Sequence, residues 1–258
     1  MTADHGPPDV LLVLAKSPVT GLAKTRLCPP ASPSDAAAIA AAALLDTLDA
    51  VAAVPGTRVM VAWTGELADA HRADELRRAL AGTERFAQSD GPLGRRIADA
   101  HAEVARRAPG SAVLQIGMDT PQLDADALAA AIAPLRWADR TGVAPRAAVL
   151  GPLRGAGSAA GEPLDAVLGP ALDGGWWALG LRDPRQAAAV AEVPMSRSDT
   201  GELTHRALLA AGLRVGTLPA LRDVDDAEDA RIVAAEAPRG RFATEVHARL
   251  RLPASGPC

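Results

Sequence analysis

Apolar and polar positions alternate along this chain between two periods. Short continuous apolar runs recur with β-strand length, beginning with Val10-Leu11-Leu12-Val13-Leu14-Ala15. Further strands are predicted at 58–63, at 176–181, at 214–218 and, as a short edge piece, at Phe86-Ala87-Gln88. The run Val113-Leu114-Gln115-Ile116-Gly117-Met118-Asp119-Thr120-Pro121 reads as a buried central strand that ends in a carboxylate, a hydroxyl and a proline. Between these runs the period lengthens to that of a helix. Ser32-Pro33-Ser34-Asp35 supplies an N-cap, a proline at the first helical position and a capping-box acid, opening a helix to about Val54 with Leu44, Leu48 and Val51 on one face. Helices are also predicted at 66–80, from Leu93 through Val104, after Asp124 (burying Leu128, Ile132 and Leu135), at 200–211 before Gly212, and around Ile232 and Val233. Strands alternating with helices predict an α/β fold with a mostly parallel sheet.

Regularity fails between Arg136 and Pro163, where Gly, Ala, Pro and Arg dominate without a period. Ala148-Val149-Leu150-Gly151-Pro152 recurs as Ala166-Val167-Leu168-Gly169-Pro170, and the second copy is assigned to the sheet. The expected organisation is one domain over residues 8–252, with a flexible insertion near 136–163 and disordered tails at 1–7 and 253–258.

Composition narrows the function classes. Hydrophobic residues make up 48% of the 258, enough for a full α/β core, although there is no Tyr. A net charge of −4 without a basic block argues against a nucleic-acid partner. Cys28 and Cys258 alone provide neither a disulfide framework nor a cysteine zinc site. The first eight residues lack the basic and apolar regions of a signal peptide, and the weakly apolar run 36–45 is too short to span a bilayer, so a cytoplasmic location is expected. Oligomeric state leaves no signal.

Candidate chemistry gathers where strand ends are expected. The loop after the first strand carries Lys16, Gly21, Lys24 and Arg26, suited to phosphate, and reads equally as a solvated surface loop. It is neither a P-loop nor a dinucleotide fingerprint. Asp119 lies beyond the central strand, where α/β sheets place ligands, though Asp before Thr-Pro is also good turn chemistry. Asp173-Gly174-Gly175-Trp176 combines a carboxylate, a closely approachable backbone and an aromatic ring; of Trp176 and Trp177, adjacent on a strand, at most one faces a ligand. Asp226, Glu228 and Asp229 suit a first helical turn, whereas Asp223 and Asp225 precede it. Carboxylates with Lys and Arg opposite could clamp a diphosphate through Mg²⁺ or Mn²⁺. The five His residues make no metal-ligand spacing, and there is no G-x-S-x-G elbow.

These segments, in order, resemble the DUF2064 family: Ala15-Lys16-Ser17-Pro18…Gly21…Lys24-Thr25-Arg26-Leu27, Gly117-Met118-Asp119-Thr120-Pro121, Gly169-Pro170-Ala171-Leu172-Asp173-Gly174-Gly175-Trp176 and Asp223-Val224-Asp225-Asp226-Ala227-Glu228-Asp229. The family is glycosyltransferase-A-like, with members named as glycosyltransferases of arsenosugar biosynthesis. The chain is also similar to guanylyltransferases that activate phospholactate. The resemblance implies a single Rossmann-like glycosyltransferase-A domain, a mostly parallel sheet flanked by helices. It implies a metal (Mg²⁺ or Mn²⁺) on Asp119 and Asp225, with Lys24 and Arg26 on the phosphates, where the loop reading also places Lys16 and Gly21. Asp173 and Lys24 are the expected catalytic residues, and Asp173, Gly174, Gly175 and Trp176 the expected sugar or acceptor contacts. Trp176 stands where the family usually has Tyr. The implied reaction is transfer of a sugar from a nucleotide-diphospho-sugar to a small-molecule acceptor; the alternative is nucleotidyl transfer from a nucleoside triphosphate to a phosphorylated small molecule.

Overall fold

Buried apolar runs become the middle of the sheet. The structure, a computed structural model, describes residues 7–136 and 164–250. Strand β1 (Val10–Lys16) pairs in parallel with β2 (Arg58–Thr64) on one side and β4 (Val113–Ile116) on the other. Strand β3 (Glu84–Ala87) adds in parallel outside β2, as an edge strand. On the far side of β4 lie β6 (Trp176–Leu181), β5 (Ala166–Pro170) and β7 (Val215–Thr217), giving the order β3-β2-β1-β4-β6-β5-β7. Only β6 runs against its neighbours. All four residues of β4 are buried, as a strand covered on both faces requires.

Side chains alternate between the two faces. Leu11, Val13, Leu114 and Ile116 join a core with Leu44 and Leu48 of α1 (Pro33–Ala52), Leu76 of α2 (Ala73–Leu80) and Leu128 of α4 (Ala125–Ile132). Val10, Leu12, Met60 and Val113 face the other way, against Ile97 and Val104 of α3 (Leu93–Arg107) and Leu208 of α5 (Thr200–Ala210). A third cluster joins α1 to α6 (Ala227–Glu236) and α7 (Arg241–Arg249) through Ile39, Val233, Phe242 and Val246. Packing on both sides explains why α1 buries every residue from Ala36 to Leu45, a wider face than its leucines predict. Helix α3 lies close on a 3₁₀ helix at Pro184–Val190: a Cβ at Gly94 would come within 2.7 Å of the Val190 carbonyl oxygen.

One predicted helix divides, and one helix appears that was not predicted. The helix expected at 66–80 divides into a 3₁₀ turn at Leu67–Asp69 and α2, because the His71 N–H is drawn to the Pro18 carbonyl at 2.9 Å and Arg72 turns to φ 61°. Helix α7 has no counterpart in the sequence reading. The first copy of the repeat, the expected insertion beyond Arg136 and the expected tails beyond Pro7 lie outside the described residues. Among the described residues no helix is long and apolar enough to cross a membrane.

Candidate active site

A cavity of about 730 Å³ opens beyond the carboxyl ends of β1 and β4. It is lined by all the predicted polar residues of the site except Gly21 and Gly174: Lys16, Lys24, Arg26, Asp119, Asp173, Gly175, Trp176 and Asp225. Gly21 forms the first loop's turn with φ 79° and open space around it. Parallel strands deliver the first loop and Asp119 to this end. The antiparallel β6 brings the β5–β6 turn to the same end, because its start lies beside their finish.

Lys24 stitches three of these segments together. It sits in the left-handed region at φ 49°, and its Nζ lies 2.9 Å from Asp119 Oδ2. The same ammonium donates to the Val224 carbonyl, while the Val224 N–H donates to the Asp119 carbonyl at 3.1 Å. Arg26, mostly exposed, pairs with Asp225 at 2.9 Å. Two of the three predicted phosphate cations are therefore already matched by carboxylates. Lys16 donates to the Leu22 carbonyl at 3.1 Å, and no ion pair engages it among the described residues.

The acids divide unevenly. Asp173, Asp223 and Asp225 each place an oxygen within 4.8 Å of the others'. Asp119 is outside this trio and faces Lys24. Burial pushes the Asp223 carboxyl up to about 6, and the neighbouring Asp173 and Asp225 push in the same direction. A trio of crowded carboxylates with few donors suits a hard divalent cation, which takes oxygen ligands and leaves the rest of its shell to water and phosphate. The donor set thus fits Mg²⁺ or Mn²⁺, with Asp173 and Asp223 beside Asp225.

The glycine pair explains how Asp173 reaches this place. Gly174 takes φ 90°, and a Cβ there would lie 1.9 Å from the Ser198 carbonyl oxygen. Gly174's own carbonyl accepts from the Gly201 N–H at 2.8 Å, so the turn is pressed onto the start of α5. Asp173 Oδ1 accepts from the Gly175 N–H at 2.7 Å, fixing the carboxylate over the turn. The two tryptophans separate as strand geometry demands. Trp177 packs in the α1-side core and donates to the Pro219 carbonyl at 3.0 Å; Trp176 lies towards α3 and donates to Thr204 Oγ1 at 3.1 Å.

A second polar group on the α3 side contains Arg96 and three residues that sequence reasoning passed over, Gln88, Gln115 and His101. Gln88 donates to the Ala15 and Ala62 carbonyls, both at 2.8 Å, and its Oε1 accepts from Arg96. His101, wholly buried, lies 3.0 Å from Gln115 Oε1 through Nε2. The signal was present as a glutamine inside an otherwise apolar central strand.

The DUF2064 family, described as an uncharacterized protein conserved in bacteria, matches residues 47–197. No curated protein matches the sequence. Among solved structures, a protein from Desulfovibrio desulfuricans G20, provisionally named a nucleotide-diphospho-sugar transferase, superposes with a TM-score of 0.71 at 20% identity, covering 93% of this chain and 94% of its own. A CMP:2-keto-3-deoxy-manno-octonic acid synthetase complexed with CTP gives 0.51 at 14% identity, and a 4-diphosphocytidyl-2C-methyl-D-erythritol synthase 0.50 at 14%. Each of these two covers 90% of this chain and 99% of its own. At such identities the likeness establishes a shared fold.

Proposed function

The chain belongs to the DUF2064 family, and on that premise we propose that it is a metal-dependent glycosyltransferase that moves a sugar from a nucleotide-diphospho-sugar to a small-molecule acceptor. The observation that carries this reading is the carboxylate trio Asp173, Asp223 and Asp225 lining one cavity together with Lys16, Lys24 and Arg26. About 730 Å³ is ample for a nucleotide with a sugar attached. The name of the Desulfovibrio structure agrees with it.

In this reading Asp173, Asp223 and Asp225 hold Mg²⁺ or Mn²⁺, which when bound supplies charge to stabilise a departing diphosphate. Lys16 adds an ammonium free of ion pairs among the described residues, and Lys24 shares its charge between Asp119 and the phosphates. Asp119 becomes the residue that orients Lys24. Gly175 lines the cavity, Trp176 offers an indole face, and Asp173 orients a hydroxyl or takes its proton when not fully engaged by metal.

A second reading is nucleotidyl transfer, in which the clamp holds a triphosphate and a phosphorylated acceptor attacks its α-phosphorus. Arg96 favours it: this guanidinium lines the cavity, and among the described residues only Gln88 accepts from it. The deciding assay incubates the protein with nucleotide sugars and Mg²⁺ or Mn²⁺. Slow release of nucleoside diphosphate, abolished in Asp173→Ala, is the expected result. Pyrophosphate release from a nucleoside triphosphate with a phosphorylated acceptor, and no turnover of any nucleotide sugar, would assign the second reaction.

A further inference from the structure

The cavity has a deep end away from the acids. On the α3 face of the sheet, Leu12 is opposite Gln115 and one step further along β1 comes Leu14. The next residue of the central segment on that face is Gly117, where an added Cβ would meet nothing nearer than a backbone nitrogen at 3.9 Å. The absent side chain leaves open space over Gln115, walled by Leu14, Ile97 and Trp176.

Gln115 is 97% buried, yet it lines the cavity. Its Oε1 is taken by His101 at 3.0 Å, and no acceptor among the described residues receives its Nε2 hydrogens. The amide nitrogen opens onto the cavity, so its hydrogens are available to a ligand oxygen. His101 decides which way the amide points. Burial drives its imidazole down to about 4, so at neutral pH it carries one N–H. Its Nδ1 is enclosed without a partner among the described residues. A buried N–H with no acceptor is rarer in folded proteins than a bare acceptor, so the hydrogen belongs on Nε2, donating to Gln115 Oε1. The amide hydrogens are then turned outwards.

The deep end therefore offers donors. Gln88 Oε1, the nearby carboxamide acceptor, is engaged by Arg96. A full negative charge buried against a neutral amide and apolar walls would be costly, whereas a neutral carbonyl on a flat ring fits both. We propose that this recess receives the base of the nucleotide and that Gln115, oriented by His101, selects a base presenting a carbonyl oxygen over one presenting an amino group. The inference rests on the nucleotide-dependent reading above and adds to it the class of base.

Two isosteric pairs test it with the full-length protein and Mg²⁺: UDP against CDP, and IDP against ADP, by isothermal titration. In the pair that binds more tightly, the carbonyl-bearing member should be favoured by at least about tenfold. Gln115→Leu should erase the preference, and Gln115→Glu, which turns an acceptor into the recess, should reverse it. His101→Phe should flatten the ratio, a change that a merely structural role for His101 would not produce. Gly117→Leu fills the open space and should abolish nucleoside diphosphate binding while leaving pyrophosphate binding intact. Equal affinities within both pairs, or a wild-type preference that persists in the Gln115 variants, would overturn the inference and leave the proposed function standing. Pyrophosphate binding that falls in Gln115→Leu would give the recess to an anion and overturn it as well. Failure of every nucleotide to bind wild type would overturn the proposed function together with it.

Discussion

Asp223 holds most of the electrostatic tension in the site. Its carboxyl is raised to about 6 by burial and by Asp173 and Asp225, so the metal-free protein resists ionising it. Removing one charge should relax the trio: Asp223→Asn is expected to keep or raise thermal stability without metal and to lose most of the Mn²⁺-dependent shift. A Tm increment with Mn²⁺ equal to that of wild type would remove Asp223 from the proposed metal site. In the wild type that increment should shrink as pH falls through 6, since protonation would take away a proposed ligand. His101 shows the opposite displacement, from 6.5 to about 4. The unfolded chain takes up a proton below pH 6.5 that the native state refuses until about 4, so stability present above 6.5 is lost across that window. The whole effect is worth about 3 kcal/mol. Urea unfolding at pH 7 and pH 5 should show wild type losing more than His101→Phe; equal losses would mean that the imidazole is accessible to protons. Neither residue's role was fully legible beforehand. Asp223 was marked by preceding its helix, but its closeness to Asp173, fifty positions earlier, is a product of the fold. His101 looked like one more scattered histidine, because burial against a single glutamine has no spacing rule.

Elements were readable where local chemistry governs them. Ser32 and Asp35 form the capping box read from the sequence, with the Asp35 N–H donating to Ser32 Oγ at 3.1 Å. Asp124 caps α4 through the Ala127 N–H, and Asp226 closes a second box at α6. Long-range contacts governed the rest. The 66–80 pattern is amphipathic throughout, yet the Pro18 carbonyl captures the His71 N–H and divides it. Glycines separate in the same manner. Gly21 and Gly174 both have positive φ, but only Gly174 is pressed against another segment. Gly21→Ala should cost about 1 kcal/mol, the backbone strain alone. Gly174→Ala adds a clash with Ser198 and should cost at least about 2 kcal/mol more. Chemical denaturation of both variants checks the ordering, and equal costs would show that the Asp173–Gly175 turn moves freely away from α5.

At the scale of the whole molecule, the Lys24–Asp119–Val224 stitch ties together positions about a hundred and two hundred residues apart in sequence. The Lys24–Val224 contact spans about twice the separation of the β1–β4 pairing, so the entropy of the longer loop places it after the core strands. The first loop and the carboxylate trio cannot both be in place until the last acidic turn has docked. Competence to bind a ligand is thus a timer set near the end of folding: in stopped-flow refolding, protection of a fluorescent nucleoside diphosphate should emerge with the slowest phase, after α3 and the core strands have acquired their signal. Lys24→Met should widen that lag, and a proteolytic cut between α5 and α6 should silence the site while leaving β1, β2 and β4 paired. Under the proposed function, chains degraded before this docking would be discarded before they could sequester nucleotide.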